Sequence, residues 1–384
     1  GSEMCIRDRS TDKAVDYLMK SGNKSAKRNA FQESHLYYKD AFDLLFYKPN
    51  RSQEDNLLII DLLNQWAFVF SYRGDIKGLD ELLRTHVELV ESVGDNARIG
   101  EFYGWLAVAL WFREGFIKAY QYLEKGLKLG EKAESQHVIG EVCTWLCYVG
   151  CELGFYNIAI KHGERAHSIA KTIKSDHWLH IKSLDALGYV YFSLGDKSKA
   201  MEIGRNLLNY SQKHSYIRGM VLGHCGIGRS YLIDGDIQSA IESFKKGTQV
   251  AGDPMYYQVS NIYLGISFLL NGQLDQAHEI FLEIIDFSQE FGIEAIGSVA
   301  QGCKHVISIA KGEMSQGLKL VQKTVETNIE IGRAYWVAFF EFIIGKIFSQ
   351  IAVRANPMKL STITRNFGFL MKNVTFSNKK AEIN

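Results

Sequence analysis

LGYVYFSLGDKSKA, residues 187–200, sets a small residue at Gly188, an aromatic at Tyr191, a turn at Gly195 and Asp196, and another small residue at Ala200. The arrangement returns as IGRSYLIDGDIQSA at 227–240 and as LGISFLLNGQLDQA at 264–277. Weaker copies end at Gly78, Ala119, Ala159 and Gly317, so the closing small residue recurs at intervals of 41, 40, 41, 40, 37 and 40. A fixed period of roughly 20–50 residues is the mark of a repeat array.

Each unit reads as two antiparallel helices. Gly188, Gly228 and Gly265 fall on the first helix, where a missing side chain lets the partner approach, and Ala200, Ala240 and Ala277 do the same on the second. Gly195, Gly235 and Gly272 stop the first helix, because glycine accepts the left-handed conformation of a helix end. Large apolar residues then follow at helical spacing, as in AIESFKKG at 240–247.

Composition agrees. The 384 residues hold 22 Phe and 19 Tyr, ample for a core, and only three prolines, too few for disorder or a turn-rich β protein. Forty-four basic residues against 43 acidic ones exclude a uniformly cationic surface for nucleic acid or anionic membrane. The most apolar stretch, residues 336–348, is short and interrupted by Glu341 and Lys346, so no membrane partner is expected. Six cysteines without a disulfide-like framework point to a reducing, cytoplasmic setting.

The pattern resembles the tetratricopeptide repeat, in a variant of period about 40 instead of the usual 34 or so. The resemblance runs from about residue 12 to 353, as eight helix pairs and a ninth first helix, and the family's proline after the second helix survives only as Pro254. It implies an all-α, right-handed superhelical solenoid. Residues 17–45 resemble, more specifically, the first repeat after the ATPase domain in bacterial proteins that join a class III adenylate/guanylate cyclase, an AAA-type ATPase and a tetratricopeptide tail. Residues 345–382 resemble a late insertion in such tails, and the repeat tails of maltose-activator-type transcription regulators look similar.

Both ends then read as non-native boundaries. GSEMCIRD, residues 1–8, resembles a translated sequencing adapter, so 1–9 is expected to be a foreign tail and Cys5 leaves the site arguments. The solenoid is expected at 10–353, with 354–384 an insertion followed by the truncated start of another repeat helix. The chain is expected to be an internal fragment, with cyclase and ATPase domains upstream in the same chain.

Chemistry-bearing motifs thin out on inspection. Cys143, Cys147 and Cys151 line one helix face, and His137 or His162 could complete a zinc set, but Cys147 occupies the small-residue position of Gly188 and Gly228, which favours packing. His177 and His180 share a face without a thiol or acidic partner beside them. GMVLGHCGIGRS, residues 219–230, lacks the spacing and the strand-to-helix context of a phosphate loop. GNKS at 22–25 lacks them too. No catalytic residue, cofactor or metal is expected in this segment.

The inner surface of the superhelix remains. Counting eight, eleven and fifteen residues back from the anchors collects Trp111 and Val108, Tyr148 and Thr144, Phe192, Tyr189 and Asp185, then Leu232, Arg229 and Cys225. Trp111, Tyr148, Asp185, Tyr189, Phe192 and Arg229 are the expected partner-binding stripe, partly exposed along one groove, for a peptide or protein segment. Packing between repeats is the alternative. The Lys/Asn set of a chaperone-tail clamp is missing from these positions. The expected function is a non-catalytic interaction and regulatory module, with a free-standing scaffold or an activator tail as rivals.

Overall fold

The computed structural model describes the backbone of residues 2–354 apart from 29, 114 and 174, and side chains of 11–345 with the same gaps. The insertion expected at 354–384 therefore lies almost wholly outside the described residues. Those described form eighteen helices and no strand. They are α1 (Ser2–Lys27), α2 (Phe31–Phe46), α3 (Gln53–Arg73), α4 (Ile76–Thr85), α5 (Val87–Val93), α6 (Asn96–Phe112), α7 (Phe116–Lys132), α8 (Gln136–Glu152) and α9 (Tyr156–Thr172). There follow α10 (His177–Ser193), α11 (Lys197–Lys213), α12 (Ile217–Ile233), α13 (Ile237–Val250), α14 (Pro254–Leu270), α15 (Leu274–Phe291), α16 (Glu294–Ala310), α17 (Met314–Glu330) and α18 (Ala334–Arg354).

The punctuation is local chemistry. Gly195 and Gly235 end α10 and α12 at φ of 74° each, and the aspartate that follows caps the next helix. Asp196 accepts from the Lys199 amide and Asp236 from the Ser239 amide. A Gly-Asp pair thus closes one helix and opens the next within two residues. The small positions do the packing expected of them. A Cβ at Gly228 would stand 2.6 Å from the Phe244 ring, and one at Gly265 would stand 2.8 Å from Phe281.

Pairs stack through their first helices. α6, α8, α10, α12, α14 and α16 each touch the next, and α10 is buried almost without interruption from Leu179 to Phe192. Second helices such as α9 bury one stripe, Ala159, Gly163, Ala166, Ile169 and Ala170, and turn charge to water. One second helix departs from the pattern. It breaks into α4 and α5 at His86, whose ring packs edge-on against Phe42 and Phe46.

The superhelix closes on itself. α16 meets α6 and α18 meets α8. Arg113 pairs with Glu294, and Gly332 packs against Leu153. Arg218 lies 3.3 Å over the Tyr72 ring. Among the described residues no helix is long and apolar enough to cross a membrane.

Candidate functional site: a two-chambered interior

Closure changes what the inward residues face. Tyr148, Asp185, Tyr189, Phe192 and Arg229, expected at a partly exposed groove, are buried, each 8% exposed or less, and Trp111 is half-buried. The physical reason is that these side chains bond to one another between neighbouring first helices, while Arg333 and Tyr335, from the far end of the turn, pack onto them. Arg229 Nη2 donates to Asp185 Oδ1 at 2.7 Å, and the Tyr148 hydroxyl donates to Asp185 Oδ2 at 2.5 Å. Lys182 Nζ donates to the Tyr148 oxygen at 2.9 Å and lies over the Tyr148 and Trp145 rings. Tyr189 donates to Glu152, which also holds Arg333. Phe192 packs against Tyr263 and Tyr335.

Five of the six stripe residues, all but Phe192, line an inner chamber of about 110 Å³. Its groups are strongly perturbed. Burial pushes the Lys182 ammonium down to about 8 against the pull of Asp185, and burial pushes the Tyr148 hydroxyl far up, with Asp185 adding to it.

A wider mouth of about 570 Å³ lies beyond Trp145, which lines both cavities. Its walls carry the aromatic faces of Phe68, Tyr72, Trp105, Trp145 and Trp178. The amides of Asn23, Asn64 and Gln65 line it too. Asn64 is 3% exposed, and its Oδ1 has no hydrogen-bond partner. Glu101 and Glu141 face the same space without an ion-pair partner, and burial raises both carboxyls, Glu141 to about 7. His137 bonds Asp176 at 3.0 Å, and that bond lifts its imidazole to about 9. The mouth therefore offers flat apolar area, peptide-like hydrogen-bonding groups and two raised carboxyls, with the His137 imidazole and Lys27 beside them.

Glu101, Glu141, Trp105 and Trp145 were absent from the expected stripe, although the register contains them. Glu101, Glu141 and Lys182 sit eighteen residues before Ala119, Ala159 and Ala200, and Trp105 and Trp145 sit fourteen before the first two. Carrying the stripe one further helical turn towards each N-terminus reaches the mouth.

The other motifs are structural. The Cys147 sulfur lies against the close approach of Gly163, where a Cβ would stand 2.8 Å from it. Burial raises the Cys143, Cys147 and Cys151 thiols. Among the described residues no group of three or more His, Cys, Asp or Glu is placed to hold a metal ion. His180 stacks on Tyr210, to whose hydroxyl His177 bonds. The glycines of 219–230 serve helix packing: a Cβ at Gly223 would meet the Leu208 backbone at 2.7 Å.

No family model matches the chain, and no curated protein matches it. Solved structures do. A Rap protein complexed with Competence and Sporulation Factor superposes with a TM-score of 0.72 over 97% of this chain and 99% of its own, at 12% identity. The Rap conjugation gene regulator of plasmid pLS20, in complex with the Phr* peptide, gives 0.62 over 96% of each chain at 15% identity. NprR in complex with its cognate peptide NprX gives 0.61 over 95% and 99% at 11% identity. At these identities the likeness speaks of architecture: the chain is an all-α, right-handed superhelical, tetratricopeptide-like solenoid of antiparallel helix pairs.

Proposed function

We propose that this chain is a non-catalytic regulatory module that receives an extended peptide or protein segment in the mouth of its superhelix. One observation carries the reading. The mouth combines three tryptophan faces, the orphaned Asn64 carbonyl and two unpaired glutamates in a cavity large enough for several side chains. A lysine or arginine of the segment finds carboxylate and aromatic partners there at once. The Rap and NprR structures carry bound factors or peptides on the same architecture, which supports the same use here.

The residues at 17–45 support a more specific setting, in which the module biases an ATPase and a cyclase carried by the same protein in the cytoplasm. A free-standing module without enzyme domains is the rival reading. An activator tail would require a DNA-binding domain elsewhere in the protein. Reading the gene upstream separates the three.

The binding reading is tested by selecting random decapeptides against the purified chain. The expected winners are rich in Lys or Arg, and Trp105→Ala or Glu141→Gln weakens them about tenfold or more with only a small change in melting temperature. Selection of acidic sequences, or indifference to both substitutions, would overturn it.

A further inference from the structure

The two sides of α7 carry different charge. Towards α9, Glu131 pairs with Arg165 at 2.6 Å. Towards α4, Lys118, Lys125 and Lys128 line a groove of about 450 Å³, and Arg84 reaches it from α4. Intervals of seven and three residues set these lysines on one helix face. All three are exposed, and among the described residues none of them has an ion-pair partner. Lysines elsewhere on the surface, such as Lys39 and Lys311, reach an aspartate at 2.7 Å. Arg84 is already held by Asp80. Among the described lining residues Glu124 is therefore the one carboxylate set against three free ammonium groups.

The groove lies beside the break at His86. α4 is ten residues long and stops at Thr85, one residue past Arg84, whereas α7 runs for seventeen. Leu106, Leu110 and Tyr122 give the groove an apolar lining, and the Tyr122 ring rests on Tyr103 at 5.2 Å. Lys125 Nζ lies 5.4 Å from the centre of the Tyr122 ring. A cleft whose charges share one sign concentrates ligands of the other. Its volume falls within the range of small-molecule sites, roughly 300–1,000 Å³.

We propose that this groove binds a small polyanion that carries several phosphates on an apolar or aromatic body. From Lys118 to Lys128 the charges run along about 15 Å of helix axis, which suits a chain of phosphates better than a lone one. Lysine meets phosphate as a point charge on a flexible stem, so three ammonium groups adapt to such a chain. The body lies on Leu106, Leu110 and Tyr122. No residue lines both this groove and the mouth, so the site stands apart from the peptide reading.

The test is calorimetric titration of the intact chain at about 50 mM salt, where exposed charges are screened only over longer distances. The probes are ATP without magnesium, tripolyphosphate, adenosine, and an acidic decapeptide of glutamate and glycine. ATP is expected to fill one site and to bind about fivefold more tightly than tripolyphosphate or adenosine. Lys125→Gln combined with Lys128→Gln is expected to weaken ATP about tenfold or more. Lys245→Gln combined with Lys246→Gln, two exposed positions on α13, removes the same charge and is expected to leave the affinity within about twofold. Trp105→Ala, in the mouth, is expected to leave ATP binding unchanged. Equal losses in the two double variants, no ATP binding, or ATP no tighter than tripolyphosphate would overturn the proposal. A decapeptide that binds more tightly than ATP would also overturn it and assign the groove to an acidic segment of a partner.

Discussion

Arg333 donates through Nε to Glu152 Oε2 at 3.0 Å, a contact between residues 181 positions apart with both side chains sealed from solvent. Arg333 also donates to the Ala295 carbonyl and the Ser298 hydroxyl, so it ties α8 to the start of α16 and of α18. This pair holds the ends of the superhelical turn together around the interior cavities.

Removing one partner strands the other charge. Arg333→Met is expected to lose about 3–5 kcal/mol, since a buried ion that loses its partner keeps its desolvation penalty. Arg333→Met combined with Glu152→Leu is expected to recover only part of it, because the Tyr189 hydroxyl and the Ala295 carbonyl lose a partner as well. Thermal melts of the four species of the cycle check this, and X-ray scattering should show a larger radius for the single variant only.

The same closure separates core from site. Tyr189→Ala is expected to lose about 3–5 kcal/mol, the scale of a buried aromatic truncation, because its ring is buried and its hydroxyl bonds Glu152. Trp105→Ala, at the half-buried mouth, is expected to lose much less stability and to lose peptide binding. Urea denaturation of both variants measures the contrast.

These two residues also mark how far the sequence could be read. Helix pairing and period were legible because each unit repeats its small anchors, and the Gly-Asp dipeptides at 195 and 235 place the turns with a physical cause. Tyr189 and Arg229 were read as inward-facing from register alone, and both do point inward. Their burial was not legible. It depends on superhelical pitch, the accumulated rotation of many interfaces, and no local pattern announces that Arg333 will reach Glu152. The break at His86 was not legible either, and the phenylalanines its ring packs against lie on a different helix.

Repeat packing gives a sharper test. Gly228→Ala places a methyl 2.6 Å from the Phe244 ring, and overpacking of this kind loses about 1–3 kcal/mol. Phe244→Leu in the same chain is expected to restore part of that loss, whereas Phe244→Leu alone destabilises by leaving a void. Chemical denaturation of the three variants distinguishes this from a general intolerance of substitution.

The mouth carries a pH signature with a defined sign. The Glu141 carboxyl, raised by burial from 4.5 to about 7, keeps a proton that the unfolded chain releases, so its contribution to stability falls as pH rises through that window. His137, raised from 6.5 to about 9 by Asp176, stabilises below 6.5 and loses that contribution as pH rises through 9. His167 opposes them: burial lowers it to about 4, so its contribution falls as pH drops from 6.5. The readout is therefore the difference between Glu141→Gln and the parent chain. The variant's relative stability is expected to grow between pH 4.5 and 7 and to stay level above that.

The most direct test of the central claim is to map where a selected peptide lies. A selected decapeptide carrying a benzophenone side chain is irradiated with the intact chain, and the cross-linked residues are read by mass spectrometry. Cross-links concentrated at residues 64–72, 101–108, 137–145 and 176–178 are the predicted result, since those segments wall the mouth. Cross-links confined to the outer helices α7, α9, α11 and α13 would contradict the account, because the segment would then bind a surface that the superhelix turns away from its axis.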